Sequence, residues 1–180
     1  MFKLFNFKLN IKIIKIFLFL TILTFFLPFF AVSCGPNDAG INFSGFALST
    51  GKNINGKWYD GNLLGFIIII PPVILLILSF FIYKTKSKIT HIIIKTVFFI
   101  VPIFDIFVVF IVRAAFKAGL SKAIAGINPE NSVFLRNLID KINLTDVHIK
   151  SGFILYIIFN AIIFIFAVIN YFTNITETEQ

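Results

Sequence analysis

FFLPFFAVSCGPNDAGINFSGFALSTG, residues Phe25 to Gly51, is where a long apolar run gives way to a polar, turn-rich one. Upstream, Ile16 to Ser33 carries no charge over roughly the ~20 residues that a helix needs to cross a bilayer. Downstream, Gly and Asn crowd the chain, and the alternation in Ile41-Asn42-Phe43-Ser44 ahead of Gly45 predicts a short strand entering a turn. This is the signature of a helix leaving a membrane, and it sets the class in which the remaining residues are read.

Composition agrees. Of 180 residues, 58% are hydrophobic and 13% charged, and the mean hydropathy is +0.98, more apolar surface than one soluble core can hide. The net charge of +8 would suggest nucleic acid in a soluble domain. Here the lysines sit between apolar runs, where they meet lipid headgroups and set orientation, so the expected partner is the lipid bilayer and nucleic acid is not expected. One cysteine and two histidines, His91 and His148, allow no intramolecular disulfide and are too few for a typical zinc site. No glycine-rich phosphate loop is present, and no metal or cofactor is expected.

Working outward, the hydropathy pattern predicts an all-α integral membrane protein. Residues 1–180 form a single domain with four transmembrane helices at about 13–33, 63–83, 92–112 and 152–172, and two outward loops at 34–62 and 113–151. Pro28, Pro71, Pro72 and Pro102 are expected to kink the helices that contain them, because each proline removes a backbone donor and crowds a carbonyl one turn back. Trp58 and Tyr59 are expected at the headgroup level. In the second loop, AAFKAGLSKAIAGI has helical spacing, and Phe134, Leu135, Leu138, Ile139 and Ile142 share one face of a further amphipathic helix. The following residues, DVHIKSG, are expected to form a strand pairing with the one near Ile41.

Orientation rests on lysine. Lys3, Lys8, Lys12 and Lys15 precede the first span, and Lys84, Lys86 and Lys88 fill the short link between the second and third. Both features place the two termini in the cytoplasm, against a second loop that is also basic but long and partly acidic.

The decisive stretch also resembles a pattern in uncharacterised small bacterial four-span membrane proteins. In these, the first helix ends in Leu-Pro, an aromatic and Val-Ser-Cys, and Gly-x-x-Leu-x-x-Gly follows. Here Leu27, Pro28, Phe29, Val32, Ser33 and Cys34 form the first part, and Gly45, Leu48 and Gly51 the second. The resemblance covers about 27 of the 180 residues; it implies a bacterial envelope and four spans, and no activity.

Two intramembrane polar residues stand out. Asp105 lies near the middle of the third span, where a carboxylate costs about 2.5 to 3.5 kcal/mol on insertion scales, so it requires a partner or a proton. Asn160 lies at a similar depth in the fourth span. The expectation is that protonated Asp105 bonds Asn160 across a helix interface, with the Phe98 carbonyl freed by Pro102 as a competing acceptor. Lys95 is expected to snorkel to the headgroups. Cys34 is a candidate for acylation, for cross-linking two chains, or for simple burial.

No nucleophile, base and orienting residue assemble into a catalytic set. The expected function is therefore that of a non-catalytic envelope protein acting through helix contacts with itself, as a homo-oligomer, or with a membrane protein partner. One alternative is a channel or transporter component using Asp105 and the proline-broken helices; another is a lipoprotein acylated at Cys34.

Overall fold

The computed structural model describes residues 7–32, 41–54, 57–61, 63–82, 88–125 and 147–173. Among these the protein is mostly helical with a small sheet. The elements run α1 (Phe7–Thr24), β1 (Pro28–Val32), β2 (Ile41–Ser44), α2 (Gly45–Thr50), β3 (Lys52–Ile54), β4 (Lys57–Tyr59), a 3-10 helix (Leu63–Ile68), α3 (Ile70–Phe81), α4 (Lys88–Ala125), β5 (Val147–Ile149) and α5 (Ser151–Thr173).

Four helices form a ring in which α5 packs on α1 and α4, and α3 packs on the same two helices. Neighbours are antiparallel. Phe110 and Phe99 of α4 meet Phe153 and Phe164 of α5 with ring centroids 5.4 and 5.2 Å apart. Along α1, Lys15 sits over the Phe80 ring at 4.0 Å and Phe25 meets Phe66 at 6.4 Å. The bundle thus has a lysine end, with Lys12, Lys15 and Lys95, and a sheet end.

Each helix buries one stripe at alternating spacings of three and four, as antiparallel bundles require. On α5 the stripe is Phe153, Tyr156, Asn160, Ile163, Ala167 and Asn170; on α1 it is Ile11, Ile14, Leu18 and Thr21, continued by Phe25 just past the helix end. Two helical stretches are long and apolar enough to cross a membrane, Ile92–Gly119 within α4 and Ser151–Asn170 within α5, and Gly65–Phe81 is a shorter apolar one.

The proline expectations need correction at three of four positions. Pro28 kinks no helix: α1 ends at Thr24 and Pro28 opens β1. Proline disfavours helical geometry in the preceding residue, and the helix tightens to its end through bonds from the amides of Phe25, Phe26 and Leu27 to carbonyls three residues back. The first predicted span, 13–33, is therefore a helix followed by a strand. Pro71 and Pro72 occupy the first turn of α3, where proline fits helical geometry without breaking the helix, and the residues before them are 3-10. Pro102 lies inside α4, which runs from Lys88 to Ala125 rather than 92–112.

At the sheet end the strand order is β2-β1-β5, antiparallel throughout. The strands near Ile41 and His148 do not pair with each other, as the sequence predicted, because β1 lies between them: Ala31 faces Asn42 on one side and His148 on the other. Since β1 follows α1 and β5 precedes α5, the sheet ties those helix ends together by backbone, and the Lys150 amide adds a 2.9 Å bond to the Phe29 carbonyl. The end of α4 reaches past the bundle, where Phe116 stacks on Phe30 at 5.5 Å and meets Phe43 at 5.2 Å. The predicted helix at 134–142 and Cys34 lie outside the described residues.

Between sheet and bundle, α2 carries the second half of the quoted motif. Ser44 caps it by accepting from the Ala47 amide at 3.1 Å. A side chain at Gly45 would strike the Phe25 ring, with 2.5 Å to its nearest carbon, and Leu48 is buried. Gly51 ends the helix at φ 97°, its amide bonding the Ala47 carbonyl, a left-handed turn that glycine adopts without strain.

Candidate functional site

The bundle interior is divided. One apolar cluster at the sheet end includes Phe25, Ile68, Val108, Val109, Phe153 and Tyr156, and a second at the lysine end includes Ile11, Leu18, Leu75, Phe98 and Ile163. Between them, on successive helices, come Thr21 and Thr24 of α1, Pro72 of α3, Asp105 of α4 and Asn160 of α5, all buried. A polar layer crosses the middle of the bundle.

The register of α4 against α5 sets the depths within it. Five residues back from Phe110 is level with five residues on from Phe153, so Asp105 stands at the height of Ile158. The buried neighbours Tyr156 and Asn160 lie two residues either side, roughly 3 Å along the axis. The Tyr156 hydroxyl is within electrostatic reach of both Asp105 and Asn160.

The donors of this layer are turned to backbone. Thr21 Oγ1 donates to the Phe17 carbonyl at 2.7 Å, Thr24 Oγ1 to the Thr21 carbonyl at 2.6 Å, Asn160 Nδ2 to the Tyr156 carbonyl at 3.0 Å and Tyr156 Oη to the Ile68 carbonyl at 2.8 Å. The last bond has a clear cause. The Ile68 carbonyl would be served by the amide of residue 71 in a 3-10 helix or 72 in an α-helix, and both are prolines, which have none.

What remains is a set of acceptors. Neither oxygen of Asp105 nor Oδ1 of Asn160 has a hydrogen-bond partner, although both residues are fully buried. The expected Asp105–Asn160 hydrogen bond is therefore not formed in this arrangement. The Asn160 amide turns instead to the carbonyl one helical turn back on its own chain, within reach in helix geometry.

A second polar contact closes the lysine end, where Asn10 Nδ2 donates to Asn170 Oδ1 at 2.8 Å, both side chains buried. Beside it a cavity of about 10 Å³, room for one water, is lined by Ile11, Ile14, Ile82, Lys95, Phe98, Ala167 and Asn170. Lys95, half-buried, thus lines a crevice between helices at the lysine end.

Sequence reasoning missed Thr21, Tyr156 and the Asn10–Asn170 pair. The signal was present for α5, where Asn160 and Asn170 fall on one stripe at helical spacing. Among the described residues no three His, Cys, Asp or Glu side chains come together as metal ligands would. His148 is exposed on β5.

The fold defines a mostly helical protein with helices able to cross a membrane and a polar layer at the bundle's centre. Comparison with protein-family models, with curated proteins and with solved structures gives no match.

Proposed function

We propose that the chain is a four-span integral membrane protein of the bacterial envelope, both termini cytoplasmic, with the sheet end outside. It acts without catalysis, through contacts of its helices or its outer sheet with another copy or a membrane partner. One observation carries the four-span reading: every helix of the bundle also covers its outer face with large apolar side chains, while buried polar side chains face the interior. Ile16, Phe19 and Leu23 of α1, Ile74, Ile77 and Phe80 of α3, Ile100, Phe104 and Phe107 of α4, and Ile154, Ile158 and Ile165 of α5 all point outward and exposed. The polar residues Asn10, Thr21, Ser79, Asp105, Asn160 and Asn170 point inward. Water disfavours so apolar an outer surface, and lipid favours it.

Length supports the two shorter spans. The 18 residues of α1 reach about 27 Å. The 3-10 helix, rising ~2 Å per residue, and α3 together reach about 30 Å, the thickness of the hydrocarbon core. Burial weighs against the lipoprotein reading. Cleavage ahead of Cys34 would remove α1 and β1, and with them the central strand of the sheet and the partner of Asn170.

Alkaline carbonate extraction of membranes, combined with the intact mass of the purified chain, tests this. The chain is expected to stay in the pellet at the mass of a polypeptide that retains α1. Release into the supernatant, or a mass showing loss of residues before Cys34 and added lipid, would overturn it.

A further inference from the structure

We propose that Asp105, with Asn160 and Tyr156, forms a binding site for one exchangeable proton at the centre of the bundle. The case begins with the donor count. Three buried oxygens, Asp105 Oδ1 and Oδ2 and Asn160 Oδ1, face a layer whose hydroxyls are all committed to backbone carbonyls. An acceptor-only cluster in a dry interior is repulsive and unsatisfied, and each unmet buried group carries a desolvation penalty. A positive charge or a hydrogen is what such a cluster takes.

Among the described residues no side chain supplies it. The stretches that pack on α4 here, α5 and Leu63–Phe81, contain no charged residue. On α4 itself the nearest cations are Lys95 and Arg113, ten and eight residues away, roughly 15 and 12 Å along the helix. An ionisable group within electrostatic reach of Asp105 is Tyr156, whose hydroxyl hydrogen is held by the Ile68 carbonyl. Two prolines fix that commitment, so the phenol cannot turn to the carboxyl without orphaning Ile68.

A proton resolves this with the smallest change. It arrives from water and forms one O–H bond on Asp105, and a side-chain rotation lets that O–H donate to Asn160 Oδ1. Two orphaned acceptors thereby become one hydrogen bond joining α4 to α5. Loss of the proton to water breaks that bond and returns the seam to the unpaired arrangement. The site belongs to the bundle interior and stands whichever side of the membrane the termini occupy.

Infrared spectroscopy of the full chain in lipid nanodiscs at neutral pH tests the proposal. The difference spectrum between the wild type and Asp105→Asn should contain the carbonyl stretch of a neutral carboxylic acid. That band should shift to lower frequency in D₂O, showing exchange, and to higher frequency in Asn160→Ala, which removes the acceptor. Should Asp105→Asn not fold, the wild type with ¹³C-labelled aspartate carboxyls against Asn160→Ala reads the same band. Absence of a neutral-acid band, a band unmoved by D₂O, or one indifferent to Asn160→Ala would overturn the proposal. So would loss of the band on adding sodium at fixed pH, which would make the site one for an alkali cation.

Discussion

The Tyr156 hydroxyl donates to the Ile68 carbonyl across 2.8 Å and 88 residues of sequence, supplying the hydrogen that Pro71 and Pro72 withhold. The bond joins the end of the 3-10 helix that leads into α3 to the interior face of α5 at the rim of the polar layer. It makes a local defect in one helix into a tertiary constraint between two.

Tyr156→Phe should therefore cost more than a lost surface hydroxyl would. An orphaned buried carbonyl is worth about 1 to 3 kcal/mol, visible as a lower Tm in detergent or nanodiscs. Restoring a backbone amide with Pro72→Ala should recover part of that loss, so the double variant should be more stable than the sum of the two single changes predicts. Strict additivity would mean that the hydroxyl and the prolines are not coupled.

At the lysine end, Asn10→Leu removes the 2.8 Å bond to Asn170. Interhelical hydrogen bonds of this kind contribute about 0.6 kcal/mol on average and up to ~1.7 in membrane bundles. A loss in that range, measured by unfolding in mild denaturing detergent, is expected. A neutral result would show that α1 is held to α5 by apolar packing and the sheet alone.

The sheet order yields a cross-linking prediction. In a background lacking Cys34, Ala31→Cys with His148→Cys should oxidise readily, because directly opposed antiparallel residues lie ~4.5–5.5 Å apart, within disulfide range. Asn42→Cys with His148→Cys should not, since β1 separates the two strands. The reverse outcome would place β2 beside β5.

Gly51→Ala should destabilise the turn after α2 by about 1 kcal/mol, because its φ of 97° is one that side chains resist. Thermal unfolding measures it, and no change would indicate that the turn relaxes freely.

Legibility in the sequence followed locality. The fourth helix was predicted at 152–172 and found at Ser151–Thr173, because a long apolar run bounded by polar residues has one reading. The strand at Ile41 was likewise visible in its alternation. PFFAV was not: a short apolar run fits the end of a helix as well as a strand, and pairing outside the run decides between them, with β2 about ten positions on and with β5 more than 100 away. Pro71 and Pro72 were misplaced for a related reason. A hydropathy run shows that a stretch is apolar, not where within it α geometry begins. Asp105 and Asn160 drew attention because polar groups are rare in such runs, while the part played by Tyr156 depended on Ile68, a contact no single-helix pattern contains.

The measurement that bears most directly on the four-span account is cysteine labelling in intact cells with a membrane-impermeant maleimide. Single cysteines would be placed at Lys86, Arg136 and Gln180 in a Cys34→Ser background. The account predicts labelling at 136 and none at 86 or 180 until the membrane is permeabilised. Labelling at 86 and 180 but not 136 would invert the protein, and labelling at only one of 86 and 180 would contradict four spans.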